Sequence, residues 1–253
     1  MHRPIRLGCV QYLNARPLIQ GWRGEVRFDH PSRLCEALAA GELDAALVSS
    51  FEYLRHPVYA VVDGVAIASD GPVYSVFVAH LNRTEELREI VIDPASATSV
   101  NLLRCLLGER RLQPRLVSDG EITPTRGRLL IGDQAIRFRQ TADAGYQFLD
   151  LGAAWKDATG LSFVYALWLI RSDLPEKSNL AQALRSLGQN NREHLGAVIA
   201  AQAETDRAFS EFYFRDCLRF RFDEREKQGF QRFAELCVRH RLLAELPPAP
   251  ERG

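Results

Sequence analysis

Ile5-Arg6-Leu7-Gly8-Cys9-Val10-Gln11-Tyr12-Leu13-Asn14-Ala15-Arg16-Pro17 is the stretch whose reading decides the fold. A short apolar run ends in a polar turn. A proline then stands where a first helical turn begins, a place at which its missing N–H costs nothing. The unit is strand, turn, helix, and it recurs. Val26–Phe28 predicts a second strand, and Pro31-Ser32 opens a helix with Ser32 as its cap and Gly41 at its end. Residues 44–48 predict a buried strand, and Ser49-Ser50 caps a short helix to Leu54. Strands are expected over 59–68, 73–79 and 89–93, and residues 94–99 open a helix over 100–107. Further strands are expected at Arg115–Val117, 129–131, 148–151 and within 161–171, with helical pieces after Asp133 and Gly152. From Ser178 onward the pattern is helical. One helix is expected over 191–203, and a last one from Asp223, whose spacing to Glu226 fits a capping box, to about His240. The tail from Pro247 is expected to fray.

Repeated strand-turn-helix units call for an α/β molecule with parallel or mixed sheets covered by helices on both faces. The middle of the chain holds its own set of strands and helices. The reading is therefore two-lobed, with a ligand cleft between the lobes. Residues 1–73 and 169–253 form lobe I and 74–168 an inserted lobe II, with strands near 73–78 and 163–169 crossing between them.

Composition narrows the function. Of 253 residues 46% are apolar, enough for an ordinary core, and 32 basic residues balance 32 acidic ones. That balance points away from nucleic acid and from an acidic membrane surface, both of which favour a basic excess. The longest apolar run, 163–170, is far short of the ~20 residues a membrane helix needs. Met1 to Gly8 holds no apolar signal region, so a cytoplasmic protein is expected. The five cysteines are scattered with no CxxC pair, which predicts buried free thiols and neither a disulfide framework nor a zinc site. The nucleophile elbow, the phosphate loop, the zinc-protease helix and the dinucleotide fingerprint are all missing. The six histidines do not cluster and read as surface or loop residues.

In open α/β sheets, ligands bind beyond the carboxyl ends of the strands, where helix N-termini present free N–H groups and a partial positive charge. Four such turns are rich in small polar residues: Gln11-Tyr12-Leu13-Asn14, Ser49-Ser50, Ser96-Ala97-Thr98-Ser99 and Gly132-Asp133. Each hydroxyl could equally cap its own helix; four at one sheet edge favour an anion clamp. Asp93 and Asp133 end strands at the cleft and are candidate acids or bases, with turn capping or an arginine contact as the plainer role. Trp155 and Phe163 could stack on a planar ligand or fill the core.

The order of these motifs resembles the chorismate dehydratase family of the futalosine route to menaquinone. The likeness runs from Val10-Gln11-Tyr12-Leu13-Asn14-Ala15-Arg16-Pro17-Leu18 through Pro31-Ser32-x-Leu34 to Gly41-Glu42-Leu43-Asp44-Ala45-Ala46-Leu47-Val48-Ser49-Ser50 with Glu52-Tyr53-Leu54. It continues in Gly71-Pro72-Val73-Tyr74-Ser75-Val76, Asp93-x-x-Ser96-x-Thr98-Ser99 and Ile131-Gly132-Asp133-Gln134-Ala135. Asp150-Leu151-Gly152-x-x-Trp155, Thr159-Gly160-Leu161-Ser162-Phe163 and Ala166-x-Trp168 complete it, covering nearly the whole chain. The resemblance implies a type 2 periplasmic-binding-protein-like fold and a hydro-lyase. The implied reaction removes water from chorismate to give 3-[(1-carboxyvinyl)oxy]benzoate, with no metal and no organic cofactor. One departure is Ser162, where the family usually has proline.

On that reading Asn14, Ser75 and Asp133 are the catalytic candidates. Gln11, Tyr12, Ser49, Ser50, Ser96, Thr98, Ser99, Gly132 and Phe163 are the substrate-binding ones. One carboxylate of the substrate is assigned to Ser96, Thr98 and Ser99, the other to Ser49 and Ser50. The base is left between the substrate's own enolpyruvyl carboxylate and Asp133. Two rivals stand beside this reading: the sister enzyme that makes 1,4-dihydroxy-6-naphthoate, and a non-catalytic small-anion solute-binding protein. A regulator's ligand-sensing domain is weaker, since no basic helix pair precedes the fold. The oligomeric state stays open, a homodimer being one option.

Overall fold

A computed structural model describes residues 4–93, 96–202 and 206–250. Pro94 and Ala95, read as part of a helix lead-in, lie outside these residues, as do Ala203 at the end of an expected helix and 251–253 of the expected tail.

The chain begins with β1 (Leu7–Cys9), a 3-10 turn (Leu13–Ala15), α1 (Arg16–Ile19), β2 (Val26–Phe28) and α2 (Pro31–Ala39). Next come β3 (Ala45–Ser49), α3 (Ser50–Arg55) and the long β4 (Tyr59–Ser69). The middle of the chain supplies β5 (Val76–His80), β6 (Glu89–Val91), α4 (Ala97–Glu109), β7 (Arg115–Val117), β8 (Arg126–Ile131), α5 (Gly132–Thr141), β9 (Gln147–Asp150) and α6 (Leu151–Thr159). The return strand β10 (Phe163–Arg171) leads into α7 (Lys177–Glu193), α8 (Leu195–Ala200), α9 (Arg207–Phe212), a π-helical turn (Tyr213–Cys217) and α10 (Glu224–Arg239).

Among the described residues the strands form two five-stranded mixed sheets, ordered β2-β1-β3-β10-β4 and β7-β6-β8-β5-β9. β10 is buried along nearly all its length, as a strand covered on both faces must be. It lies between β3 and β4 and is antiparallel to both. β4 bulges opposite Trp168, where Gly64 takes a φ of +80° that a side chain would resist.

Two crossings join the halves, and both differ from the expected extended strands. Residues 73–75 are turned, because the Asp150 carboxylate takes the N–H groups of Val73 (3.0 Å) and Tyr74 (2.8 Å) away from any ladder. The segment 163–169 does not cross at all: it pairs with β3 and β4, so the return crossing precedes Phe163.

The C-terminal helices cover the first sheet. The Asp223–Glu226 capping box is present at the start of α10. The helix expected over 191–203 is interrupted at His194, whose backbone leaves helical geometry between α7 and α8. Trp155, Phe163 and Phe233 pack edge to face in the core. The five cysteines are buried and free; Cys105 of α4 and Cys237 of α10 bring their sulfurs to 3.8 Å.

Candidate functional site

Turns from both sheets meet around one cavity of about 80 Å3. Tyr12, Asn14 and Ser49 line it from the first sheet's side, with Ser75, Ser96, Thr98, Ser99 and Gly132 from the other. Val48, Ile67, Val76, Ile131 and Tyr165 supply apolar and aromatic wall. Among the described residues no lysine or arginine lines it, so an anion here would be held by hydroxyls and backbone dipoles.

The strongest convergence is at Thr98, in the first turn of the thirteen-residue α4. Its hydroxyl lies 2.5 Å from that of Ser49 and accepts the Phe51 N–H at 3.2 Å. Ser49 and Ser96 stand at the N-caps of α3 and α4, yet neither side chain makes the capping bond. The Ser49 hydroxyl instead meets Thr98 across the joint between the halves, and Ser96 lines the cavity beside it. Ser49 and Thr98, assigned to different carboxylates in the sequence reading, thus touch each other there.

At a second polar cluster, Ser75 follows Tyr74, a non-glycine residue held at φ +67°. Such a conformation is strained and persists only where surroundings hold it. The Asp150 carboxylate grips its N–H, and the Arg139 guanidinium sits 4.4 Å above its ring and 3.4 Å from the same carboxylate. The Ser75 carbonyl accepts the Gly132 N–H at 2.9 Å, and its hydroxyl accepts from the buried Tyr213 hydroxyl at 2.7 Å. Burial is the largest influence on the Tyr213 phenol and pushes it well above its usual range. Asn14 sits in the 3-10 turn; its Oδ1 is buried and, among the described residues, has no partner. A buried acceptor without a partner is costly, and an acceptor at a cavity wall is ready to meet a ligand. Gly132, at φ +57°, leaves room for the Tyr12 ring, which a Cβ would meet at 3.1 Å.

Several expected residues lie elsewhere. Asp133 accepts the Leu13 N–H at 3.0 Å, tying α5 to the turn that carries Asn14. It and Gln11 line a separate outer groove of about 710 Å3 with Arg16, Trp22 and Arg137. Burial raises the Asp133 carboxyl above its ordinary range, opposed by the Leu13 N–H and by Arg137 and Arg16. The Ser50 hydroxyl is buried on the Val164 carbonyl at 2.7 Å. Phe163 and Trp155 belong to the core, where other rings surround them. Asp93 faces His30 at 3.7 Å. His80, expected at the surface, is buried at the end of β5.

Three residues of the site escape the sequence reading. Asp150 could have been noticed as a carboxylate at a strand end, where it also caps α6 through the Ala153 N–H. Tyr165 lines the cavity and pairs with Ser69 at 3.1 Å; strand alternation alone does not mark it. Tyr213 lies in a π-helical turn, which residue spacing does not announce.

A family model described as menaquinone biosynthesis matches residues 5–239. A chorismate dehydratase from Thermus thermophilus is 32% identical over 92% of this chain and 95% of its own length. One from Campylobacter jejuni is 26% identical over 89% and 90%. Among solved structures, the periplasmic aliphatic sulphonate binding protein of Escherichia coli superposes with a TM-score of 0.63 at 15% identity, covering 99% of this chain and 96% of that one. That likeness is one of fold: the molecule has the two-lobed, type 2 periplasmic-binding-protein architecture, consistent with its sheet order.

Proposed function

We infer that this chain, which belongs to the menaquinone biosynthesis family, removes water from chorismate and releases 3-[(1-carboxyvinyl)oxy]benzoate. It would act as a cofactor-free carbon–oxygen hydro-lyase of the futalosine route in the cytoplasm. The observation that carries the reading is the meeting of Asn14, Ser49, Ser75, Ser96, Thr98 and Ser99 around one cavity, in a chain similar over nine-tenths of its length to chorismate dehydratases.

The α4 N-terminus, with the Thr98, Ser99, Ser96 and Ser49 hydroxyls, holds one substrate carboxylate. Asn14 and Ser75 hold the other end of the ring, near the C4 hydroxyl. The two halves act as lobes that part to admit the ligand, since the cavity is small beside the 300–1,000 Å3 usual for ligand pockets. The base is the substrate's own enolpyruvyl carboxylate, because the Asp133 carboxyl is bound to the Leu13 N–H and lines the outer groove. Loss of the C3 proton and of hydroxide from C4 gives an aromatic ring and one water, so the chain gains and loses no proton over the cycle. Aromatisation drives the step, and orientation with exclusion of water supplies the rate.

The test is incubation of the purified chain with chorismate, following the aromatic product by ultraviolet absorbance and mass. Turnover supports the dehydratase; tight binding without turnover supports a solute-binding protein; neither points to the sister enzyme. In an active protein, Asn14→Ala and Ser75→Ala should each lower kcat by about a hundredfold or more. Wild-type rates in both would refute these assignments.

A further inference from the structure

We propose that Tyr213 is a positioning residue of the reaction: it fixes the Ser75 hydroxyl as a hydrogen-bond donor aimed at the departing C4 hydroxyl of the substrate. This deepens, and rests on, the dehydratase reading above.

The argument follows hydrogen-bond polarity. The Tyr213 hydroxyl donates to Ser75 Oγ at 2.7 Å, across 138 residues of chain. A serine hydroxyl has one proton to give and two lone pairs to receive. With a lone pair occupied by Tyr213, the Ser75 proton is left to point elsewhere, and Ser75 lines the cavity. Charge that develops on the leaving oxygen then meets a donor already oriented, which avoids reorganisation during the step. Asn14 and Ser75, the two side chains assigned to the far end of the ring, line the same cavity, so the donor fixed by Tyr213 works beside the Asn14 amide. A neutral phenol is required for this polarity, and burial keeps it neutral.

The backbone supports the same reading. Tyr213 starts a π-helical turn, Tyr213–Cys217, an irregularity that is frequently found at functional sites. Its ring packs against two others. Phe209 stacks on it at 5.6 Å with planes 12° apart, and Phe214 lies 5.9 Å away. On the opposite side of the hydrogen bond, Ser75 is held by the Asp150 grip on Val73 and Tyr74 and by the Gly132 N–H. Each partner is therefore held by contacts of its own besides the hydrogen bond between them.

Tyr213→Phe keeps the ring and its stacking while deleting the donor. In a preparation whose wild type dehydrates chorismate, kcat should fall about tenfold or more, with KM within about threefold, because the lost interaction strengthens as the hydroxyl departs. Ser75→Ala combined with Tyr213→Phe should be no slower than Ser75→Ala alone, since the two residues act as one unit. A merely structural role predicts a lower melting temperature and multiplying effects in the double variant. Tyr213→Phe at the wild-type kcat, or a double variant slower than either single one by their product, overturns the proposal and leaves the dehydratase reading intact. An inactive wild type overturns that reading, and this inference with it.

Discussion

Asp133 shows how a residue's chemistry can be redirected by what it touches. It heads α5, close to the site, and burial raises its carboxyl above the ordinary carboxylate range. Both features suit a general base. Its oxygen nonetheless accepts the Leu13 N–H, which places the neighbouring Asn14. Asparagine can accept the same N–H, so Asp133→Asn should keep kcat within about threefold of wild type. Asp133→Ala, which frees the turn, should lower it further; a dead asparagine variant would restore Asp133 as the base. A pH effect accompanies this. A carboxyl with a raised folded pKa binds its proton more readily in the folded chain, so stability falls as pH rises from the ordinary value of 3.8 through the raised one. The Asp133→Asn variant lacks that decline. Melting temperatures measured upward from about pH 4 should show the variant gaining on wild type as the acid ionises.

At the scale of elements, the run from α6 into β10 carries a local mismatch. Ser162 has a buried hydroxyl without a partner among the described residues, while its carbonyl accepts the Trp155 indole N–H at 3.1 Å. α10 presses on the same peptide: a Cβ on Gly229 would lie 1.8 Å from the Ser162 oxygen. An unpaired buried hydroxyl costs about 1–3 kcal/mol, and a proline restricts the unfolded chain as well. Ser162→Pro should therefore stabilise the protein by about 1 kcal/mol, a rise in Tm of about 2–4 °C; a fall would mean that the serine backbone is incompatible with proline there. Gly229→Ala should do the reverse by about 1–3 kcal/mol, because the carbonyl it meets cannot swing aside.

Elements of this kind were readable from sequence to different degrees. Val26–Phe28 and Arg115–Val117 appear with the expected bounds, and the Asp223–Glu226 box starts α10 as its spacing required. Those features depend on neighbours in the chain. The turn at Tyr74 depends on Asp150, and the orientation of Ser75 on Tyr213, both far away in sequence. Val73 to Ala79 consequently reads as one strand when it begins only at Val76. The same distance effect moves Phe163 to the core: its aromatic ring was legible, its surroundings were not.

Across the whole molecule, polar contacts near the cavity tie one half to the other. Ser49 meets Thr98 at 2.5 Å, and Leu13 meets Asp133 at 3.0 Å, each pair joining one half to the other. A ligand held between the halves adds its own bonds to both and so stabilises the folded form. Chorismate at about a hundred times its Kd should contribute ~2.7 kcal/mol and raise Tm by about 5–10 °C, read by scanning fluorimetry. The shift should shrink in Thr98→Val, which keeps the shape and loses the hydroxyl. An unchanged melting curve with chorismate counts against the site as drawn.

The place of β10 between β3 and β4 has a consequence for the order in which the protein is made. A ribosome delivers β4 long before its partner: residues 59–69 emerge, then the whole second sheet, and only afterwards the strand from Phe163 to Arg171. Until then β3 and β4 hold unpaired edges, the kind of surface that recruits other strands. The inserted half, whose five strands lie between Val76 and Asp150, has all its strands while β3 and β4 still wait for β10. Synthesis thus leaves the edges of β3 and β4 open while the whole second sheet is made, the interval in which the growing chain shows most unpaired strand to its surroundings.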